Sequence, residues 1–220
     1  MKEYIKINQL VYDALANEYA FRRDNIGLYS ESTEYLGNSL LKHASTKELI
    51  HVLEVGPGAG QILKYFEDHG CRTVGIELSD AMCQLCKIQS PNSIIIHSDI
   101  NEIKLYGEQF DLIYMGALIH LFPLEDATKL IRKVWSWLKE DGCIFINTTC
   151  HEKSEEGFYR KQDYVGESLR FRRHWNESDF ECFVTSNGFS ILEKLYTDEQ
   201  DRGKNWIALI AKKEKADEKD

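Results

Sequence analysis

The stretch Val52-Leu53-Glu54-Val55-Gly56-Pro57-Gly58-Ala59-Gly60-Gln61 reads as an apolar strand that runs into three alternate glycines and out into a helix. Glycine permits sharp turning of the chain and close backbone approach to a ligand. Nicotinamide, flavin and other nucleotide folds share such a turn, so its flanks carry the distinction. A dinucleotide fingerprint is G-x-G-x-x-G/A with a diphosphate on the helix N-terminus, whereas this loop is G-x-G-x-G with Gln61 at the last fingerprint position. Glu54 puts a carboxylate directly before the loop. It would repel a diphosphate and attract, directly or through water, the ammonium of an amino-acid-like ligand.

Two further acids follow at the C-terminal ends of the next two apolar runs, where open α/β sheets bind ligands. Glu77, in Val74-Gly75-Ile76-Glu77-Leu78-Ser79, stands where an acidic side chain accepts both hydroxyls of a ribose. Asp99, in His97-Ser98-Asp99-Ile100, is placed to accept from an adenine amino group. An amine end, a ribose diol, an adenine and no phosphate together describe S-adenosylmethionine. The same features disfavour a nicotinamide oxidoreductase.

Outward from the loop, short apolar runs alternate with amphipathic stretches from residue 50 to residue 147, the pattern of βαβ units around a parallel sheet. Apolar and aromatic residues recur at helical spacing over 8–23 and 30–43, so two helices precede the core. After Cys150 the pattern lapses into a polar stretch rich in Arg and Tyr, as far as Trp175. A helix follows at 177–186, then two runs at 189–196 and 206–211 whose short, turn-rich connection makes them an antiparallel hairpin at the sheet's edge.

The motifs Glu54 to Gly60, Glu77-Leu78-Ser79 with Met82, and Asp99-Ile100, continued by Phe110-Asp111-Leu112-Ile113, by Gly116 to Leu121 and by Leu138 to Cys143, resemble those of class I S-adenosylmethionine-dependent methyltransferases. The ending, with Asn187-Gly188-Phe189 and two closing strands, resembles the small-molecule branch. The resemblance implies an α/β, Rossmann-like fold: a seven-stranded, mostly parallel sheet in order 3-2-1-4-5-7-6 with its last strand antiparallel, helices on both faces and an N-terminal helical lid. It divides the chain into a single domain over 1–213, comprising a lid at 1–45, a cofactor-binding core at 46–149, a lid insertion at 150–176 and a closing helix and hairpin at 177–213. A polar tail covers 214–220. Cofactor contacts are expected from Glu54, Gly56, Gly58, Gly60, Glu77, Leu78, Met82, Asp99, Ile100, Met115 and Gly116. Tyr19 and Arg22 join them, because the resemblance sets the first helix over the methionine end.

Methyl transfer from a sulfonium mostly asks the protein to align the nucleophile and exclude water. His120 is the titratable side chain in the segment 115–122 and is the candidate general base. Tyr12, Arg23, Tyr159, Arg160 and Tyr164, in the two lid regions, are the candidate substrate contacts, and their basic neighbours suggest a small, acidic acceptor. The expected reaction is transfer to an O or N nucleophile. A protein or peptide substrate and a non-catalytic cofactor-binding subunit are the rival readings. No Asn/Asp-Pro-Pro-aromatic motif follows the fourth strand, and no Pro precedes a Cys. Neither the amino-methylating enzymes of nucleobases nor cytosine-C5 enzymes are matched.

A formal net charge of −9 removes the cheapest route to nonspecific nucleic-acid binding. The six cysteines lack framework spacing, and Cys83 and Cys86 have no second Cys or His pair at matching distance, so no metal is expected. No signal-peptide pattern or membrane-length apolar run stands in the sequence, which predicts a cytoplasmic protein, a monomer or homodimer.

Overall fold

In the computed structural model, which describes residues 1–21, 29–44, 48–160, 169–199 and 203–215, the run before the glycines is strand β1 (His51–Val55). Its neighbours in the chain are helix α3 (Gln61–Asp68), β2 (Arg72–Glu77), α4 (Asp80–Gln89), β3 (Ile94–His97) and β4 (Phe110–Met115). A 3-10 turn (Ile119–Leu121), α5 (Leu124–Trp137) and β5 (Leu138–Thr149) follow. The chain then forms β6 (Glu155–Arg160), β7 (Leu169–His174), α6 (Glu177–Thr185), β8 (Phe189–Glu199) and β9 (Lys204–Lys213). Helices α1 (Glu3–Phe21) and α2 (Glu31–Leu41) precede them all.

Seven strands make one sheet in the order β3-β2-β1-β4-β5-β9-β8. Counting only its own strands along the chain, that is the expected 3-2-1-4-5-7-6. β9 is antiparallel to both β5 and β8, and the pairs among β1 to β5 are parallel. Val52, Leu53, Val55 and all six residues of β4 are buried, as strands covered on both faces require. One face packs Leu53, Ile113 and Ile144 against α5 and α6 through Trp137 and Phe180. The other packs Val52, Leu112 and Phe145 against α2 and α3 through Leu40 and Phe66. Caps set the helix starts: Ser79 Oγ accepts from Met82 N at 3.1 Å for α4, and Asn176 Oδ1 accepts from Asp179 N at 2.8 Å for α6.

The polar stretch after Cys150 contains structure that its composition conceals. β6 and β7 pair as a separate antiparallel hairpin, in register from Glu155 opposite His174 to Arg160 opposite Leu169. Two strands alone are marginal in water, and this pair is held by α1. Asn8 Oδ1 accepts from Phe171 N at 3.0 Å, and the Tyr4 and Phe171 rings lie 5.4 Å apart. Helix α1 is in turn fixed to the core, where Lys2 Nζ and Tyr4 Oη both donate to Asp126, at 2.6 and 2.7 Å. No described helix is long and apolar enough to cross a membrane.

Candidate active site

A cavity of about 780 Å³ opens at the C-terminal ends of the parallel strands, under a roof made by α1 and α2. That size suits a small-molecule ligand pocket. Of the residues expected at a cofactor or substrate, Glu54, Gly56, Gly58, Glu77, Leu78, Met82, Asp99, Ile100, Gly116, Tyr12 and Tyr19 lie on its wall.

All three loop glycines have positive φ, at 72°, 53° and 83° for Gly56, Gly58 and Gly60, but they face different surroundings. A Cβ on Gly58 would meet no atom within 4 Å, leaving the backbone open on the cavity side. A Cβ on Gly60 would stand 2.9 Å from Cys86 Sγ and 3.1 Å from its Cα. The third glycine therefore serves close packing of the loop on α4, and it is not part of the cavity wall among the described residues.

The acids are set by the strand ends. Glu77 Oε2 accepts from Gly58 N at 3.0 Å and Oε1 from Ser79 N at 2.9 Å. Burial raises its pKa, and these backbone N–H groups partly offset the rise. Its two oxygens retain lone pairs for a diol. Asp99 Oδ1 accepts from the backbone and side-chain N–H of Asn101 at 2.9 and 2.8 Å. Glu54 is buried, and its Oε2 has no hydrogen-bond partner. Burial, then the Glu77 charge, push its pKa up to about 8. An unmatched buried carboxylate beside a glycine loop is the fit expected for a ligand's ammonium, and Glu77, Asp99 and Met82 suit its ribose and base. Hence these residues can hold S-adenosylmethionine.

Other expected residues lie elsewhere. Met115 is fully buried in the core. His120 is 2% exposed, in the 3-10 turn and off the described wall, with its ring 6.0 Å from that of Trp206. Its Nδ1 has no partner, and burial, then the charges of Arg172 and Arg170, push its pKa well below 6.5. The candidate base is thus buried off the described cavity wall, with Trp206, which is on the wall, beside it. Tyr159 and Arg160 sit on β6, away from the cavity wall, where Tyr159 Oη donates to Glu155 at 3.1 Å and its ring stacks on His174. Arg22, Arg23 and Tyr164 lie outside the described residues. Cys83 and Cys86 are buried thiols of α4, and the described residues contain no group of three metal-ligating side chains.

Several wall residues escape sequence reasoning. Asn8 and Gln9 face the cavity from α1, and Gln9 Nε2 donates to Leu78 O at 3.1 Å. Their signal is a polar pair amid the helix's apolar stripe of Tyr4, Ile5 and Tyr12. Tyr35 of α2, and Thr197, Glu199 and Trp206 of the closing hairpin, complete the far end. Alternation along β8 puts Leu195, Thr197 and Glu199 on one face, but only the topology brings that face to the site.

Residues 53–146 match a family described as a methyltransferase domain. An uncharacterized methyltransferase of Alkaliphilus oremlandii is 30% identical over 152 residues, covering 67% of this chain and 69% of that protein. A phosphoethanolamine N-methyltransferase of Plasmodium falciparum is 30% identical over 131 residues, 57% of this chain and 49% of that one. The chain thus spans about half the length of some curated relatives it matches. Among solved structures, the 1,6-didemethyltoxoflavin-N1-methyltransferase of Burkholderia thailandensis, with S-adenosylhomocysteine bound, superposes with a TM-score of 0.77 at 14% identity, over 97% of this chain and 90% of that one. The matched domain, the bacterial relative and the likeness of fold converge: the chain belongs to the class I S-adenosylmethionine-dependent methyltransferases.

Proposed function

We propose that the protein transfers a methyl group from S-adenosylmethionine to an O or N nucleophile of a small molecule. The observation that carries this reading is one continuous cavity that runs from Glu77 and Asp99, past Glu54 and the glycine loop, to the closing hairpin at Trp206. It has room for a cofactor and a small acceptor together. Bound there, S-adenosylmethionine supplies an electrophilic methyl on a sulfonium that is already a good leaving group.

The chain's own residues bind and orient. Glu54 meets the ammonium, Glu77 the ribose hydroxyls and Asp99 the adenine edge, with Met82, Leu78 and Ile100 as the apolar bed. Gly56 and Gly58 let the backbone approach, and Gly116, where a Cβ would stand 2.5 Å from the Tyr114 ring, lets the end of β4 pass close to that ring. Helix α1 excludes water from above. It is fastened by Gln9 Nε2 donating to Leu78 O, by Ser79 Oγ donating to Asp13 Oδ1 at 2.5 Å, and by Asn8 Nδ2 donating to Leu121 O at 3.3 Å. Alignment in a dry site is the larger part of the catalytic task for such a displacement.

Incubation with S-adenosylmethionine and pooled small phenols, carboxylates and amines tests the reading. The expected result is acceptor-dependent release of S-adenosylhomocysteine with one acceptor heavier by a methylene unit. Release that requires an added protein or peptide instead would contradict it.

A further inference from the structure

Asn147 lies on the cavity wall near the end of β5, the strand next outside β4 and two strand steps from Glu54 on β1. At about 4.8 Å per step that is roughly 10 Å, so it stands past the ammonium end of the cofactor arm. Its amide is oriented by what it holds. Ala117 has a φ of 52°, a left-handed backbone that a residue with a Cβ seldom adopts, and its N–H donates to Asn147 Oδ1 at 2.5 Å. A backbone N–H only donates, so the amide oxygen faces Ala117 and the Nδ2 group is turned away from it.

Among the described residues no protein group accepts from that Nδ2. Asn8 differs: it lines the same cavity, but its Nδ2 is spent on Leu121 O and its Oδ1 on Phe171 N. The surroundings of the Asn147 amide are apolar. Ala208 of β9 is its direct cross-strand partner, and Leu195 of β8 is the partner of Ala208. Directly paired residues share a face. Trp206, two residues before Ala208, alternates onto it as well, and all four line the cavity. Two residues before Asn147, Phe145 stacks on Tyr114 with ring centroids 4.3 Å apart, which gives the amide a rigid base.

A ligand that displaces water from this face leaves the Nδ2 donors unmatched unless it brings an acceptor atom. The described wall carries acidic side chains and no Lys, Arg or His, which favours a neutral oxygen over a carboxylate. We infer that Asn147 is the specificity-determining residue for the methyl acceptor, donating from Nδ2 to a neutral carbonyl oxygen of a small molecule seated against Ala208, Leu195 and Trp206. The inference rests on the reading that Glu54, Glu77 and Asp99 hold S-adenosylmethionine.

The test is calorimetric titration of the full chain, saturated with S-adenosylhomocysteine, by 4-hydroxyacetophenone, 4-ethylphenol and 4-hydroxybenzoate, which share one ring and carry a carbonyl, a methylene or a carboxylate. The ketone should bind about fivefold tighter than 4-ethylphenol, the worth of one net hydrogen bond, and tighter than the carboxylate. Asn147→Asp keeps an oxygen for Ala117 N and replaces the donor by a second acceptor. It should abolish the preference for the ketone and leave S-adenosylhomocysteine affinity within about twofold, which also reports that the variant is folded. Asn147→Ala releases Ala117 too. The same loop carries Leu118, whose Cδ1 would lie 3.0 Å from a Cβ on Gly56, so this variant should lose the ketone preference and weaken S-adenosylhomocysteine severalfold. A ketone preference that survives Asn147→Asp overturns the inference, as does tightest binding of the carboxylate. Equal loss of S-adenosylhomocysteine affinity in both variants would reduce the amide to a clamp on the loop and overturns it likewise. A wild-type chain that binds no S-adenosylhomocysteine overturns the cofactor reading and this inference with it, whereas binding without a ketone preference overturns the inference alone.

Discussion

Glu77 Oε2 accepts the backbone N–H of Gly58 at 3.0 Å, so the acid assigned to the ribose also holds the glycine loop. One carboxylate at the end of β2 thereby fixes the two parts of the cofactor arm relative to each other. Glu77→Gln replaces one acceptor oxygen by an amide N–H, which cannot accept from Gly58 or Ser79. The expected outcome is a loss of S-adenosylhomocysteine affinity of more than tenfold, together with a lower unfolding midpoint. Calorimetry and thermal unfolding of the same preparation check both halves. A loss of affinity without loss of stability would mean that the carboxylate serves the ligand alone.

Glu54 predicts a proton count. With its pKa raised to about 8 by burial, Glu54 is mostly protonated at pH 7 before ligand arrives. A ligand ammonium beside it favours the carboxylate and lowers that pKa. Binding of S-adenosylhomocysteine at pH 7 should therefore release a proton, seen as a dependence of the binding enthalpy on the buffer's ionisation enthalpy. Glu54→Gln, or 5′-methylthioadenosine, which lacks the amino acid, should show no such release. Equal release by both ligands would remove Glu54 from the ammonium site.

The three glycines separate binding from folding. Gly58→Ala strains a φ of 53° but meets no neighbour, and its methyl group enters the ligand's side of the loop. It should cost about 1–2 kcal/mol of stability from backbone strain and weaken cofactor binding severalfold. Gly60→Ala carries similar strain and also drives its Cβ against the Cys86 backbone, so it should lower the unfolding midpoint further. A smaller loss of stability in Gly60→Ala than in Gly58→Ala would contradict the packing role.

His120 ties stability to acid. Its folded pKa is depressed well below 6.5 by burial and neighbouring positive charge. The unfolded chain therefore takes up this proton first as pH falls, and the stability present above about pH 6.5 is lost below it. His151, lowered to about 4 by burial and His174, adds to the same window. Thermal midpoints should fall from pH 7 to pH 5, and His120→Gln should flatten that slope. Loss of the acid-side fall in turnover in His120→Gln, with midpoints unmoved, would give His120 the role of base.

Asn8 joins the roof both to the 3-10 turn and to the β6–β7 hairpin. Its amide donates to Leu121 O and accepts from Phe171 N. Asn8→Ala strands two buried backbone groups and should cost about 1–3 kcal/mol. Protease cleavage near α1 and the β6–β7 hairpin should accelerate, and cofactor dissociation with it. Unchanged dissociation would show that the roof does not retain the ligand.

The cofactor arm was legible in sequence because its chemistry is local: a glycine turn and one acid at the end of each of three consecutive runs. The far end of the cavity was not, since Trp206, Thr197 and Glu199 lie some 140 residues beyond the glycine loop and reach the cavity only through strand order. The β6–β7 hairpin was hidden for another reason. β7 buries Arg170, Phe171 and Arg172 in a row and exposes Leu169, while β6 exposes Phe158, which erases the alternation that marks a half-buried strand. That His120 lies off the described wall was not legible either, since its sequence position beside the site says nothing of which way a single 3-10 turn points its ring.

The cavity's ligand is open to direct measurement. Parallel calorimetric titrations with S-adenosylmethionine, S-adenosylhomocysteine and a nicotinamide dinucleotide should give saturable one-to-one binding for the two sulfur nucleosides and none for the third. Binding of the dinucleotide, with both sulfur nucleosides silent, would contradict the reading of Glu54, Glu77 and the glycine loop.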